Sequence, residues 1–521
     1  MKNGGWIVLL LSALVYGANF WGTSIYILDE AKNSGCAMEM WQRGDWVIPT
    51  FNNELRTDKP PLHYFFMKAA YQVFGVNPFA ARVFSVGSGI LLVFLIYSFL
   101  KRNFSESMAF TAAIMLISSL QLAIQFHLAV PDPYLILLLT ASILFFYEGF
   151  VRSRKYRMAF FYLAVSLAFV TKGLIAIAFP GMIVLLFLIM RKDFTLAGIK
   201  KLNLPVGILI FLLIGLPWYI AVGIQTKGVW LEGFFLEHNV SRFTSTMEGH
   251  KGFFLAPFVI LILGTLPFSF TVFPAIRFSW RNRIENPFIL LCLIAVIVIP
   301  GFFSLSRTLL PSYPAPAIPF LAILLAYYWN QQFVKAKKVS WEIMAPLFVY
   351  LLITLAIPIG VYVGMSTEFP SYQFQNMAFY FVLLPLGAIA AIFLIKNCRN
   401  YLLPVLSGSW IVTTLLFFYI CFPQIDKINP VTQSLPLVSN HKIAYYGDFN
   451  PAYVMALHST IRQLETKQEL EEFLQAEGRV ITQKKYLDEI EALSYKILFS
   501  QKDLFEKPTT VIIEGNYSAE G

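Results

Sequence analysis

Long apolar runs are the feature that most constrains the fold of this chain. About 13 of them have the length that crosses a bilayer as an α-helix, which takes about 20 residues. Only 13% of the 521 residues are charged, whereas a soluble protein carries about 25%. The sequence therefore predicts an all-α polytopic membrane protein with about 13 transmembrane helices. The predicted spans are 6–28, 79–100, 107–127, 132–150, 157–171, 174–190, 203–223, 253–276, 286–304, 312–330, 342–365, 376–396 and 401–422.

Basic residues in alternate loops give the orientation of the predicted spans. Residues 101–102, 152–157 and 191–201 carry Lys and Arg with few acids, as do later loops on the same side. The positive-inside rule places such loops in the cytoplasm. We therefore predict a cytoplasmic N-terminus, with the loops 29–78 and 224–252 and the C-terminus outside the cytoplasm. This distribution explains the net charge of +10, so the sequence does not indicate a nucleic-acid partner.

The composition changes near Gln424 to that of a soluble domain. We predict a membrane domain over 1–423, which includes both outer loops, and a small extracytoplasmic α/β domain over 424–521. The predicted elements of the second domain are strands at 441–447, 479–482 and 509–513 and helices at 466–476 and 486–493. This domain has no catalytic motif, so we expect it to stabilise the protein or to position an acceptor.

Two carboxylates, Asp29 and Glu30, follow directly on the first apolar run. An ionisable group at a membrane boundary indicates a functional site. Further polar residues lie on the same side in this topology, namely Asp58, Lys59, Asp132, Lys172, His238, Arg242, Arg307 and Tyr313. Each alone has an ordinary explanation, such as a helix cap for Asp132, but their shared side favours a function. Carboxylates among Lys, Arg and Tyr suit an anionic phosphate ligand and proton removal from a hydroxyl group.

Several short motifs resemble those of a known family. Residues 29–85 contain D-E-A-K, R-G-D-W, P-T-F-N-N-E, D-K-P-P-L-H-Y and F-G-V-N-P-F-A-A-R-V-F-S. These motifs are similar to the first outer loop of bacterial membrane glycosyltransferases of the C-type fold. That family includes the aminoarabinose transferase that modifies lipid A and relatives of the protein O-mannosyltransferases. The likeness extends to V-T-K-G, E-H-N-V-S-R-F and L-P-S-Y-P-A-P-A-I-P, and so spans most of residues 1–330.

The resemblance implies an inverting glycosyltransferase in the bacterial inner membrane. Such an enzyme moves a sugar from a polyprenyl (undecaprenyl) phosphate donor to a hydroxyl or phosphate group of an acceptor on the outer face. Lipid A is the acceptor to expect first, and a protein or another glycan is the second. A lipid or sugar transporter and a non-enzymatic surface protein remain open as other classes. Charges at one face rather than at mid-membrane count against a transporter.

The resemblance also implies roles for individual residues. Asp29 would be the general base with Glu30 beside it, and Asp132 would be a second acidic position with Lys172 as its partner. The residues that would contact the donor phosphate are Lys32, Lys59, Lys172, Arg242, Arg307 and Tyr313. Asp58 and His238 match positions where a divalent metal ion can bind, but two ligands do not make a tight site. No other cofactor is expected.

The chain departs from the family pattern at three of these positions. Lys32 replaces the usual Arg, which keeps the charge but loses the bidentate geometry toward phosphate. Asp58 replaces Glu and is one methylene shorter, which weakens the metal proposal. The sequence Ser306-Arg307-Thr308 replaces a Gly-Lys type of sequence, so we expect Arg307 to supply the missing cation.

Overall fold

The computed structural model describes residues 4–241, 253–306, 309–335, 339–370, 372–504 and 506–516. This part of the chain is mainly helical, with a small β-sheet toward the C-terminus. The α-helices are, in chain order, Gly4–Tyr16, Leu28–Gln42, Leu62–Phe74, Pro78–Asn103, Glu106–Ile117, Leu120–Phe126, Asp132–Phe146, Tyr156–Lys172, Ile175–Met190, Leu196–Leu202, Leu204–Ile210, Pro217–Gln225, Val229–Glu232, Ala256–Gly264, Val272–Arg281, Pro287–Ser304, Ile318–Tyr328, Trp341–Glu368, Leu383–Asn397, Leu402–Leu416, Phe422–Asp426, Pro430–Val438, Ala452–Leu457 and Lys467–Gln475.

Many of these helices follow the apolar runs of the sequence. Within the described ranges, seven helices are long and apolar enough to cross a membrane, and up to nine spans result if each of two bent pairs is one span. The spans Asp132–Val151 and Pro287–Ser304 lie largely inside the protein, whereas Leu196–Gly215 and Trp341–Glu368 are mostly exposed. The predicted class, a helical multi-pass membrane protein, is confirmed, and the number of 13 spans stays a prediction.

The predicted single helix at 6–28 is wrong. The helix Gly4–Tyr16 ends early, and the chain is irregular until the next helix begins at Leu28. Asn19 has a left-handed backbone conformation with φ of 49°, which an α-helix does not continue through. The charged end of the first apolar run therefore belongs to a separate helix, Leu28–Gln42.

Two other predicted straight spans, 107–127 and 253–276, are bent. Between Glu106–Ile117 and Leu120–Phe126 the axis turns by 68°. Ser119 starts the second of these helices because its hydroxyl accepts a hydrogen bond from the Leu122 N–H at 3.3 Å. The run at 253–276 turns by 114° after Ala256–Gly264. Pro267 lies at this break and has no N–H to continue the helical hydrogen bonds.

The described chain packs as two compact units. The first unit consists of Met1–Ala18, Thr57–His63 and Val83–Tyr419, and the second of Asn19–Arg56, Tyr64–Arg82 and Ile420–Gly521. The second unit thus combines most of the predicted outer loop 29–78 with the C-terminal residues. This grouping differs from the predicted division at residues 423 and 424, which stays a prediction.

The second unit contains a mixed five-stranded sheet and a separate hairpin. The strands are β1 (Thr50–Phe51), β2 (Glu54–Leu55), β3 (Ile443–Tyr446), β4 (Arg462–Leu464), β5 (Arg479–Gln483), β6 (Tyr495–Lys502) and β7 (Thr509–Gly515). In the sheet the order is β4-β3-β5-β7-β6, with β3 parallel to β4 and β5, and β7 antiparallel to β5 and β6. The predicted α/β character of this region is confirmed.

The predicted helix at 466–476 is present as Lys467–Gln475. Thr466 caps it, since its hydroxyl accepts a hydrogen bond from the Glu469 N–H at 3.2 Å. Leu470 and Leu474 then pack against the apolar side chains of β3, β5 and β7. The predicted helix at 486–493 is wrong, because only the 3-10 turns Lys484–Tyr486 and Asp488–Ile490 form there.

The hairpin of β1 and β2 is held by one buried carboxylate. Glu39 accepts hydrogen bonds from the Thr50 hydroxyl at 2.6 Å and from the N–H groups of Asn52 and Asn53. Asn52 in turn exchanges two hydrogen bonds with the backbone of Ile461, at 3.0 and 2.7 Å. These contacts fix the position of Arg56, which directly follows the hairpin.

Candidate active site

Asp29 and Glu30 lie in the first turn of the helix Leu28–Gln42 in the second unit. A helix N-terminus presents unpaired N–H groups and a positive dipole end, and both stabilise carboxylates. The two neighbours nevertheless have opposite surroundings. The Asp29 side chain is 50% exposed, whereas the Glu30 side chain is fully buried. Only the Asp29 carboxylate is therefore open to a substrate at this surface.

Glu30 forms a two-pronged ion pair with Arg82. The Arg82 guanidinium donates to both carboxylate oxygens, at 2.7 and 2.8 Å. It also donates to the backbone carbonyls of Phe20, Thr23 and Ser24 at 2.8–3.0 Å. The pair therefore fixes the irregular segment that leads into the helix. The predicted catalytic part of Glu30 stays a prediction, and its contacts favour a positioning role.

Arg56 is the cation beside Asp29. One Arg56 nitrogen lies 3.8 Å from an Asp29 carboxylate oxygen, and the Arg56 side chain is almost fully buried. Arg56 is oriented by hydrogen bonds to the Tyr64 hydroxyl and to the Asn33 side-chain oxygen, both at 3.1 Å. Sequence reasoning assigned no role to Arg56 or Arg82. Arg82 lies in the motif F-G-V-N-P-F-A-A-R-V-F-S, which could have marked it, whereas Arg56 lies between two of the quoted motifs and had no such signal.

Lys32 lies one helical turn after Asp29, so the two side chains share a face of the helix. Its charge acts on Asp448, whose pKa is below its usual range. Hydrogen bonds from Lys485 and Tyr486 are the main cause, and the positive charge of Lys32 adds to them. Lys32 thus lies in electrostatic reach of the C-terminal part of the second unit.

In the first unit, three predicted site residues lie together. The Lys172 ammonium is 2.7 Å from an Asp132 carboxylate oxygen, and both side chains are largely buried. Asp132 begins the helix Asp132–Phe146, and Lys172 ends the helix Tyr156–Lys172. A carboxylate stabilises the N-terminal end of a helix, and an ammonium group stabilises the C-terminal end. The Tyr313 ring is 5.6 Å from the same ammonium and stacks on Phe303.

Asp58 and Lys59 lie in the segment Thr57–His63 of the first unit. Lys59 is half-buried, and it makes no hydrogen bond or ion pair with the residues that the structure describes. The Thr57 side chain lies against Gly233, where an added Cβ would be 2.7 Å from the Thr57 hydroxyl oxygen. His238 follows in the helical segment Gly233–Ser241. Arg242 and Arg307 lie outside the described residues.

A metal site is not assembled in the described ranges. No group of three or more His, Cys, Asp or Glu side chains in them could hold a metal ion. A catalytic zinc site has three protein ligands, so Asp58 and His238 alone do not fit a tight site. The four cysteines, Cys36, Cys292, Cys398 and Cys421, are free thiols. The predicted metal ion stays a prediction.

The sequence of this chain is similar to those of known membrane transferases. Residues 58–220 match the family model described as dolichyl-phosphate-mannose-protein mannosyltransferase. An undecaprenyl phosphate-α-4-amino-4-deoxy-L-arabinose arabinosyl transferase from Yersinia enterocolitica is 30% identical over 389 residues, which are 72% of this chain and 69% of that relative. A transferase of the same name from Serratia proteamaculans is 30% identical over 63% of this chain and 59% of its own length.

Solved structures show the same fold. The crystal structure of ArnT from Cupriavidus metallidurans bound to undecaprenyl phosphate superposes with a TM-score of 0.81, at 21% identity and 98% coverage of both chains. The archaeal oligosaccharyltransferase AglB from Archaeoglobus fulgidus gives a TM-score of 0.52 at 12% identity, over 94% of this chain and 69% of that one. The resemblance seen in the sequence is thereby confirmed. The chain belongs to the family of membrane glycosyltransferases that includes these arabinosyl transferases.

Proposed function

We propose that this glycosyltransferase moves 4-amino-4-deoxy-L-arabinose from undecaprenyl phosphate to lipid A. The relatives that are 30% identical carry this donor in their names, and the ArnT structure holds undecaprenyl phosphate. The observation that carries the proposal is the half-exposed Asp29 carboxylate, which lies at a helix N-terminus beside the buried cation of Arg56. An exposed carboxylate can take up a proton from an acceptor group that binds beside it.

The proposed reaction is a single displacement with inversion. An acceptor oxygen attacks the anomeric carbon on the face opposite the phosphate, and a new C–O bond forms. The bond between the anomeric carbon and the phosphate oxygen breaks, and undecaprenyl phosphate leaves with the electron pair. Asp29 takes the proton of the acceptor hydroxyl group, or the remaining proton of a singly protonated phosphate.

In this proposal the cationic side chains bind the phosphate group of the donor. Lys59, Lys32 and Lys172 are assigned to the donor phosphate, together with the Tyr313 hydroxyl, as the family resemblance implies. A fixed ammonium group stabilises the negative charge that develops on the leaving phosphate in the transition state. Lys59 supports this role because no described residue competes for its charge. Lys172 already holds Asp132, so its first effect is on the orientation of that carboxylate.

The location that we propose is the bacterial inner membrane, with the N-terminus in the cytoplasm and the C-terminus outside. Basic loops on one side of the predicted spans support this orientation. Lipid A and the undecaprenyl-linked donor would then meet the enzyme at the outer face of that membrane.

A second acceptor class is favoured by one observation. The family model that matches residues 58–220 is that of protein mannosyltransferases, which transfer to proteins. A protein or glycan hydroxyl is therefore the alternative acceptor, with the same donor chemistry and the same general base.

The test is transfer by the purified protein in proteoliposomes. Undecaprenyl phosphate-α-4-amino-4-deoxy-L-arabinose and lipid A are supplied, and mass spectrometry of the lipid fraction should show lipid A that carries the added sugar. A parallel reaction replaces lipid A with extracted membrane proteins and glycans. Sugar on the second set alone would overturn the lipid A proposal and establish the alternative.

A further inference from the structure

A cationic cleft of about 540 Å³ opens on the second unit, and none of the residues assigned to the reaction lines it. Three lysines line it, Lys484, Lys485 and Lys507, with Asp488 as the one acidic residue of its lining. All three lysine side chains are exposed. A concave surface whose lining has an excess of one sign of charge concentrates counter-ions of the opposite sign.

The sheet brings these lysines together. Strand β5 pairs antiparallel with β7, with Gln483 opposite Thr510. Residues directly after β5 therefore lie beside residues directly before β7, which is where Lys484 and Lys507 are found. A 3-10 turn, Lys484–Tyr486, follows β5, and both of its lysines line the cleft.

The lysines differ in the partners that they have. Lys485 is 2.6 Å from an Asp448 carboxylate oxygen, which also accepts a hydrogen bond from the Tyr486 hydroxyl at 2.7 Å. Lys484 and Lys507 make no side-chain hydrogen bond or ion pair with the described part of the chain. Two like charges at one cleft are unfavourable unless an anion joins them. The cleft therefore suits a doubly charged group such as a phosphate.

Two links connect the cleft with the helix that carries Asp29. Asp448, the partner of Lys485, also feels the charge of Lys32, which is one turn from Asp29. In addition, Gln483 and Pro508 line both the cleft and a second cavity of about 110 Å³. The wall of that second cavity includes Leu28, the residue before Asp29.

We propose that this cleft binds a phosphate group of a glycolipid acceptor and so orients its headgroup on the unit that carries Asp29. This inference rests on the proposed function, in which the acceptor is a phosphorylated lipid. Lysine is a common ligand for phosphate as a point charge. The cleft is lined by three lysines and one aspartate, a net charge of +2, which opposes the charge of about −2 on one phosphate monoester. The donor phosphate is assigned to other residues, which leaves the cleft for the acceptor.

The test compares Lys484→Gln/Lys507→Gln with the wild type in the full-length protein. Lys485 is left unchanged because Asp448 already neutralises its charge. The matched control is Lys467→Gln, which removes an exposed lysine of the same unit outside the cleft. Two quantities are measured, the equilibrium binding of diphosphorylated lipid A in nanodiscs and the steady-state kinetics of transfer.

We expect the double variant to bind diphosphorylated lipid A about tenfold more weakly, with Lys467→Gln unchanged. Its acceptor KM should rise by a similar factor, while kcat and the donor KM stay within about twofold. Phosphatase-treated lipid A should bind the wild type and the double variant equally. Sodium chloride should weaken wild-type binding more than that of the double variant, because salt screens exposed charges. Inorganic phosphate as a competitor shows whether a free phosphate reaches the cleft or only a lipid headgroup does.

The two proposals fail in different ways. Equal binding of diphosphorylated lipid A by wild type and double variant overturns the cleft, whatever the enzyme transfers. Weaker binding by the double variant with no transfer to lipid A by the wild type supports the cleft and overturns the proposed acceptor. Transfer by both proteins with the same acceptor KM supports the proposed function and overturns the cleft.

Discussion

Two adjacent carboxylates, Asp29 and Glu30, have different surroundings in this protein. Glu30 is buried and saturated by Arg82, whereas Asp29 faces outward beside Arg56. The difference follows from the direction of the two side chains on one helical turn, which points neighbours about 100° apart. These contacts support the proposed division of roles, in which Glu30 positions the segment and Asp29 transfers the proton.

The substitution Asp29→Asn should lower the transfer rate by about 10² to 10⁴-fold, because the amide cannot accept a proton from the acceptor. Donor binding should remain, since Asn keeps the size of the side chain and the fold contacts of Glu30 are untouched. Single-turnover transfer and donor binding to the same preparation measure both effects. Near-normal turnover by Asp29→Asn would show that another group is the base.

Lys59 tests the phosphate role. Lys59→Ala should weaken donor binding and reduce turnover by about 10²-fold, the typical loss when one charge-stabilising donor is removed. Lys59→Arg should recover part of the binding but less of the rate, because the planar fork differs from an ammonium group. The control is Lys467→Ala, an exposed lysine far along the sequence. An ordinary surface lysine at position 59 would instead give full activity in Lys59→Ala with purified donor and acceptor.

At the scale of elements, the ends of two helices meet in the pair of Asp132 and Lys172. Removing one partner of a buried ion pair leaves an unpaired charge and costs about 3 to 5 kcal/mol, whereas replacing both is often neutral. Lys172→Met should therefore lower the melting temperature clearly, and Asp132→Asn/Lys172→Met should restore most of it. All of these variants should transfer poorly.

The control for that pair is Arg277→Met, which breaks an ion pair with Glu342 whose side chains are both 57% exposed. A surface pair of this kind is worth about 0 to 1 kcal/mol, so its melting temperature should hardly change. The measurement is thermal unfolding of the purified protein in detergent. Equal melting of Lys172→Met and wild type would mean that the pair adds nothing to the fold.

A second element, the turn between β6 and β7, contains a buried acid. Burial raises the pKa of Asp503, and hydrogen bonds from Thr510 and Asn450 offset part of that rise. A carboxyl group whose pKa is raised in the folded state binds more protons there than in the unfolded chain. Its contribution to stability is therefore full below the ordinary Asp pKa of about 3.9 and is lost as the pH rises through the folded value.

Asp503→Asn should abolish the loss of stability with rising pH that Asp503 causes, because an amide does not titrate. The melting temperature of the wild type, measured from pH 4 to pH 8, should fall relative to that of Asp503→Asn as the pH increases above about 4. The exposed Glu489→Gln is the control and should run parallel to the wild type. Parallel curves for Asp503→Asn would show that Asp503 titrates alike in both states.

The sequence predicts elements well where a run is long and uniform. Hydropathy is averaged over about 20 residues and so misses a break of two or three, which is why 107–127 and 253–276 were predicted straight. The helix predicted at 486–493 failed for another reason. Leu487, Ile490 and Leu493 recur every three residues, and this spacing fits a 3-10 turn as well as an α-helix.

The candidate site was predictable only in part. Asp29, Lys59, Asp132, Lys172 and Tyr313 were marked by charge or by motif on one predicted side of the membrane. Arg82 and Glu30 are 52 residues apart, and no local pattern shows that they pair. The same holds for the lysine cleft, since its two sides are joined only by the pairing of β5 and β7.

For the whole molecule, the main prediction still to be tested is its orientation in the membrane. Cys398 is exposed and the other three cysteines are buried, so Cys398→Ser gives a background without a reactive thiol. In that background, Glu477→Cys should react with a membrane-impermeant maleimide in intact cells with a permeable outer membrane. Ser153→Cys should react only after the inner membrane is opened. The reverse pattern would mean that the whole topology is inverted and that the C-terminus is cytoplasmic. Labelling of both positions on the same side would mean that the number of spans between them is wrong by one.

The second unit is built from segments that are far apart in the chain, and this has a consequence for the order in which it is synthesised and folded. The hairpin residue Asn52 finds its partner in Ile461, which is 409 positions later. A ribosome adds about 5 to 20 residues per second, so roughly 20 to 80 seconds pass between the synthesis of the two. During this time the Asp29 helix and its hairpin have left the ribosome without the strands that complete their unit. A part of the enzyme that is made early is thus among the last to be completed.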